Sequence, residues 1–149
     1  MSEIIHSGAT QHPFGVSITS EDIVETLSFF DDWEERYRYL IDLGKELPEM
    51  PAEKQADEHL IRGCQSKVWL HHQFLDGKFW FEADSDAFIV KGLLALVLAA
   101  YNGKSSEEIL GFDIDAYFDS LDLMSHLTPT RGNGLRAMVG RIREIASAH

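Results

Sequence analysis

The chain has 149 residues, enough for one hydrophobic core, and its apolar and charged fractions are those of an ordinary globular protein. Its net charge of −12, from 25 acidic and 13 basic residues, argues against nucleic acid as a partner, because phosphate binding needs clustered Lys and Arg. The most apolar run, Gly92 to Ala100, falls short of the ~18 residues that cross a bilayer, so no membrane span is expected. Met1 to Gly15 lacks the basic start and apolar centre of a secretory signal, which makes a cytoplasmic location the expectation.

Residues 1–18 have little periodicity, and His12-Pro13-Phe14-Gly15 is turn-like, so this stretch reads as an extension draped over a domain at 19–149. Thr19 with Asp22 forms a capping pattern for a helix to about Phe30. A second helix starts near Asp31 or Asp32, with Trp33, Tyr37, Leu40 and Ile41 on one face. Gly44 is placed to end it, and Pro48 and Pro51 prevent it from resuming. Leu47 to Asp57 is then an internal linker.

The period changes after residue 57. Glu58 to Arg62 is read as a short edge strand, and Lys67 to Leu75 as a strand with Val68, Leu70 and Phe74 on one face. Asp76-Gly77 signals a two-residue hairpin. It leads into Lys78 to Ala83, where Phe79, Phe81 and Ala83 share a face, giving an antiparallel sheet buried on one side. Asp84, Ser85 and Asp86 are candidate caps for a nearly all-apolar helix to about Tyr101, stopped by Asn102-Gly103. Ser105 with Glu108 caps a short helix, and Asp113 caps another through about Leu121. Thr128-Pro129 opens the last helix, with Leu135, Met138, Val139, Ile142 and Ile145 as its buried stripe. Helices, then strands, then helices indicate α+β rather than a parallel α/β sheet.

Cys64 is the only cysteine, which excludes an internal disulfide and any multi-cysteine metal site within one chain. It is either an inert core residue or a reactive one. Its position between two strand segments is a surface setting, and Gly63 beside it lets a foreign group approach closely. Arg62 and Lys67 are the nearest charges able to favour a thiolate, and Trp69 and Leu70 are apolar neighbours able to shelter a bound sulfur. His71 and His72 are consecutive, so on a strand they point to opposite faces and do not read as a metal pair.

Gly63-Cys64-Gln65-Ser66-Lys67-Val68-Trp69-Leu70 resembles the cysteine motif of the SufE-like sulfur acceptors, a family that includes the CsdE branch. Three further blocks resemble the family in the same order. They are Trp33 to Tyr37 with Leu40 to Gly44 and Leu47-Pro48; Asp84-Ser85-Asp86 with Ile89 to Leu93; and Leu127 to Arg131 with Asn133 to Leu135. His12-Pro13-Phe14-Gly15 is similar to the CsdE branch, whereas the cysteine and C-terminal blocks are closer to SufE.

The resemblance implies a single compact domain with a short three-stranded antiparallel sheet packed by helices, as in SufE- and IscU-like folds. It implies that Cys64 takes sulfane sulfur as a persulfide from a pyridoxal-phosphate-dependent cysteine desulfurase, stimulates that enzyme, and passes the sulfur on for iron–sulfur cluster assembly. Gly63, Gln65, Ser66, Asp84, Asp86 and Arg131 then belong to the partner-facing surface. The chain itself is expected to be an accessory protein rather than an enzyme, without cofactor or metal, and a monomer or homodimer. Arg131, near a helix N-terminus where a cation is disfavoured, points to a partner or to an internal acid. Two alternatives stand beside this: a stand-alone thiol enzyme pairing Cys64 with His59 or His72, and a CsdE-type carrier feeding a different acceptor. A cluster scaffold would need ligands shared between chains.

Overall fold

The computed structural model describes residues 12–55, 59–61 and 67–148. Helix α1 spans Ser20–Leu27 and α2 spans Trp33–Gly44. Thr19 and Asp22 close the expected capping box at the first, and the Asp32 carboxylate takes the Glu35 N–H at 2.9 Å at the second. Each cap satisfies amide donors that have no partner inside the helix.

After α2 the chain runs through the 45–55 linker, which includes a single 3-10 turn at Ala52–Lys54, to the sheet. Strand β1, Val68–Leu75, pairs antiparallel with β2, Lys78–Ser85, in a register that sets Val68 opposite Ser85 and Leu75 opposite Lys78. Asp76 and Gly77 both have positive φ, 54° and 78°, which is the backbone of a type I′ turn and matches the twist of the two strands. The third strand expected at Glu58 to Arg62 is reduced, in the described residues 59–61, to one bridge between Leu60 and Trp69 and a 2.8 Å bond from Ile61 N–H to the Val68 carbonyl. The described sheet is therefore two-stranded.

The expected inward face is present at Val68, Leu70, Phe79, Phe81 and Ala83, all buried. Phe74, at the hairpin end of that face, is 42 % exposed, with its ring 4.7 Å from that of Phe79. The other face is not left to solvent as expected. Glu82 and Asp84 on it are buried as well, and the linker reaches Asp84 through the Met50 amide at 2.9 Å. A chain segment that packs there needs polar groups to receive its backbone N–H, which explains carboxylates in an interior position.

Helix α3, Phe88–Tyr101, is the centre of the core and is buried from Gly92 onward. It crosses α2 at two glycines: a Cβ on Gly44 would lie 2.7 Å from the Gly92 amide nitrogen, and one on Gly92 would overlap the Leu40 carbonyl. Helix α2 ends at Gly44 as expected, with Lys45 as C-cap in ordinary helical geometry, and the crossing also requires a glycine there. Helices α4, Ser106–Gly111, and α5, Ile114–Ser120, follow with the Ser105/Glu108 box and the Asp113 cap as expected. A 3-10 turn at Met124–His126 precedes α6, Pro129–Ser147, capped by Thr128 and buried along Leu135, Met138, Val139, Ile142 and Ile145.

The segment before α1 is built into this core. Phe14 is 0 % exposed, and the Asn102 side chain links the segment to β2 by accepting from the Phe81 N–H (2.6 Å) and donating to the Phe14 carbonyl (3.1 Å). His12 takes the Phe14 N–H on Nδ1, so its proton sits on Nε2 and is donated to the Phe81 carbonyl at 2.9 Å. Burial pushes the His12 pKa down, against the opposing pull of that carbonyl and of the Glu82 charge.

Candidate functional site

Gly63, Cys64, Gln65 and Ser66 lie outside the described residues, but both ends of their segment are defined. On one side Ile61 is bonded to Val68; on the other Lys67 is bonded twice to Asp86. The Lys67 N–H donates to the Asp86 carboxylate at 3.1 Å, and the Asp86 N–H donates to the Lys67 carbonyl at 3.3 Å. Residues 61 and 67 thus leave the sheet beside each other, at the end of β1 that adjoins the start of α3.

Asp84, Ser85 and Asp86 do not cap α3 as expected. The N-cap is Ala87, which supplies no side-chain acceptor. Each of the three has a different task. Ser85 Oγ accepts from the Ala87 N–H at 3.2 Å and shapes the entry turn. Asp86 is exposed and closes the stem described above. Asp84, 3 % exposed, receives the amides of Met50 and Ser85 and the Lys91 ammonium, the last at 3.3 Å. A carboxylate buried to this degree is stable only with such a full set of donors. Its single negative charge is balanced by Lys91.

Glu49, Asp84, Ser85, Asp86, Ala87, Phe88 and Lys91 line a cleft of about 160 Å³ next to the stem. Phe88, the first residue of α3, has no role in the sequence-based reading, yet it is 75 % exposed on this cleft. Its only sequence signal is a large apolar residue in a helical first turn, where acids or proline are usual.

Leu70 is buried on the core face, and Trp69 is half-buried on the opposite face across from Asp84. His72 lies on the core face, its ring 6.3 Å from that of Phe79 and 6.5 Å from that of Phe81. His71 points the other way, with Nδ1 3.7 Å from Glu82 Oε1 and its ring meeting that of His59 edge-on at 4.9 Å. Arg131 is half-buried in the first turn of α6, where its amide bonds to Thr128. Its guanidinium forms no ion pair among the described residues, so the internal acid expected as one explanation is not found there.

An α+β domain of helices around a small antiparallel sheet, carrying one cysteine in a short segment anchored at both ends, defines a class of single-thiol proteins. The particular family follows from comparison. The model of the SufE family, described as an Fe-S metabolism associated domain, matches residues 21–146. An uncharacterized SufE-like protein of Rhizobium etli is 48 % identical over 130 residues, covering 85 % of this chain and 88 % of that protein. A second one, of Rhizobium meliloti, is 45 % identical over 130 residues, covering 85 % and 93 %. The chain belongs to the SufE family. The solution structure of a hypothetical protein from Thermus thermophilus has the same fold, with a TM-score of 0.71 at 21 % identity over 87 % of this chain and 93 % of the other. No helix among the described residues is long and apolar enough to cross a membrane.

Proposed function

We propose that this protein is a cytoplasmic sulfur carrier in which Cys64 accepts sulfane sulfur from a pyridoxal-phosphate-dependent cysteine desulfurase. The chemistry needs one nucleophile and no cofactor of its own. The Cys64 thiolate attacks the outer sulfur of the donor persulfide; the donor S–S bond breaks, a new S–S bond forms on Cys64, and the donor cysteine leaves as a thiolate. The outer sulfur keeps its proton, so charge is conserved without an oxidant. Removing the product sulfur from the desulfurase is what stimulates it. A downstream thiol, on an iron–sulfur scaffold or another acceptor, then repeats the exchange.

The observation that carries this reading is the family membership of a chain whose single cysteine sits three residues from each of two fixed anchors, Ile61 and Lys67. A chain spans at most ~3.6 Å per residue, so the thiol works close to the stem. In this reading residues 19–149 form the carrier domain and 1–18 its extension. Gly63, Gln65, Ser66, Asp86 and Arg131 face the partner, while Asp84 supports that surface from beneath. Arg131, with no acid beside it among the described residues, supplies a cation to the partner or to the transferred sulfur.

The test is direct. The protein is mixed with a cysteine desulfurase and free cysteine, and its mass is measured. The expected result is the addition of one sulfur atom, absent in Cys64→Ser, with faster cysteine turnover by the desulfurase. Turnover of a small substrate by the isolated chain, or no Cys64-dependent gain of sulfur, would sink the proposal.

A further inference from the structure

We infer that Phe88 is a docking anchor on the cleft beside the cysteine stem, made to enter an apolar recess bordered by basic side chains on the sulfur-donating partner. The inference rests on the sulfur-carrier reading and names the surface by which the partner is held. Phe88 is 75 % exposed, while Ile89 and Val90, the next two residues of α3, pack against the core. The phenyl group has no part in capping the helix, whose N-cap is Ala87. An aromatic ring in water gains nothing in the isolated chain, whereas aromatic side chains that become desolvated dominate binding at protein interfaces.

Position and charge say which partner. The ring is two residues from Asp86, whose carboxylate and amide close the stem of the cysteine segment. The cleft thus adjoins the stem from which the Cys64 segment leaves, on the surface that a sulfur donor approaches in this reading. Asp84 within the cleft is balanced by Lys91, which leaves the exposed carboxylates of Glu49 and Asp86 on its rim. In a chain of net charge −12 this rim attracts a basic surface and repels a second copy of itself.

The experiment compares the native chain with Phe88→Ala, using the desulfurase that the native chain stimulates. Phe29→Ala is the control, since Phe29 is equally exposed (76 %) and does not line the cleft. Melting temperature confirms that each variant is folded. Phe88→Ala is expected to raise the concentration needed for half-maximal stimulation about tenfold or more. Phe29→Ala leaves it unchanged, and sulfur uptake by Cys64 from inorganic polysulfide is native in both. Glu49→Lys is expected to slow association at low salt, with the difference fading at high salt. Native half-saturation in Phe88→Ala overturns the inference while leaving the sulfur-carrier reading intact, as does an effect on self-association of the chain in place of desulfurase binding. Equal losses in both Phe variants overturn it as well. Failure of the native chain to stimulate any desulfurase overturns the carrier reading and this inference with it.

Discussion

Asp84 and Lys91 show how one interior charge is held in place. Lys91 reaches Asp84 Oδ1 at 3.3 Å, and the same carboxylate receives the amides of Met50 and Ser85. Replacing Asp84 by Ala leaves a mostly buried ammonium and a buried amide without their acceptor, a loss of about 3 kcal/mol. Lys91→Met is milder, because the carboxylate keeps its two amide donors. The double variant Asp84→Ala/Lys91→Met is expected to be more stable than Asp84→Ala alone. Urea unfolding of the three variants checks this; equal stability of the Asp84→Ala single and double variants would show that the buried ammonium costs nothing. His12 makes a second prediction at this scale. Its pKa is lowered by burial, so the folded chain binds fewer protons there than the unfolded one, whose histidine titrates near ~6.5. Its share of stability is complete above that value and falls as the pH drops below it, by at most about 1.4 kcal/mol per pH unit for one proton. Melting temperatures from pH 7.5 to 5.5 are expected to decline less steeply in His12→Gln than in the native chain.

At the level of helices and strands, the crossing of α2 and α3 is the least tolerant contact. Gly92→Ala drives a methyl group into the Leu40 carbonyl, backbone against backbone, and neither helix can yield by a side-chain rotation. A destabilisation of about 3 kcal/mol is expected, with Gly44→Ala also destabilising through the Gly92 amide; Gly140→Ala, where a Cβ meets open space, is the control. The elements themselves are legible in the sequence where their signals are local. Thr19, Ser105, Asp113 and Thr128 each cap the helix expected of them, and Asp32 caps the one expected to start near Asp31 or Asp32, because a cap and its amide are only two or three residues apart. Asp84 has the local signature of a cap, but its partners, Met50 and Lys91, are chosen by the fold. Gly44 has the local signature of a stop, but a second reason for it lies 48 residues away at Gly92. Of the proposed site, Cys64 is singled out in the sequence by the motif around it. Phe88 is not, since exposure is a property of the surface and leaves no periodic trace.

For the whole molecule, the boundary of the family model and the boundary of the core do not coincide. The family model begins at residue 21, yet Phe14 is among the fully buried side chains, and Asn102 at the end of α3 bonds both to it and to β2. The segment 12–18 therefore ties the far end of the central helix to the strand that leads to the cleft. A chain beginning at residue 19 loses the Phe14 ring and the Phe14 carbonyl that accepts from the Asn102 side chain, which together cost about 3–5 kcal/mol. A chain beginning at residue 12 keeps every one of these contacts. Thermal unfolding of the two truncations is expected to separate them by about 6–20 °C, at about 2–4 °C per kcal/mol for a domain of this size. Equal melting temperatures would show that the core closes without the segment. Stimulation of a desulfurase by the shorter chain, measured well below its melting temperature, then separates stability from transfer. Because the segment touches Phe81 while the cysteine stem is held by Lys67 and Asp86, sulfur uptake by Cys64 is expected to persist for as long as that chain stays folded.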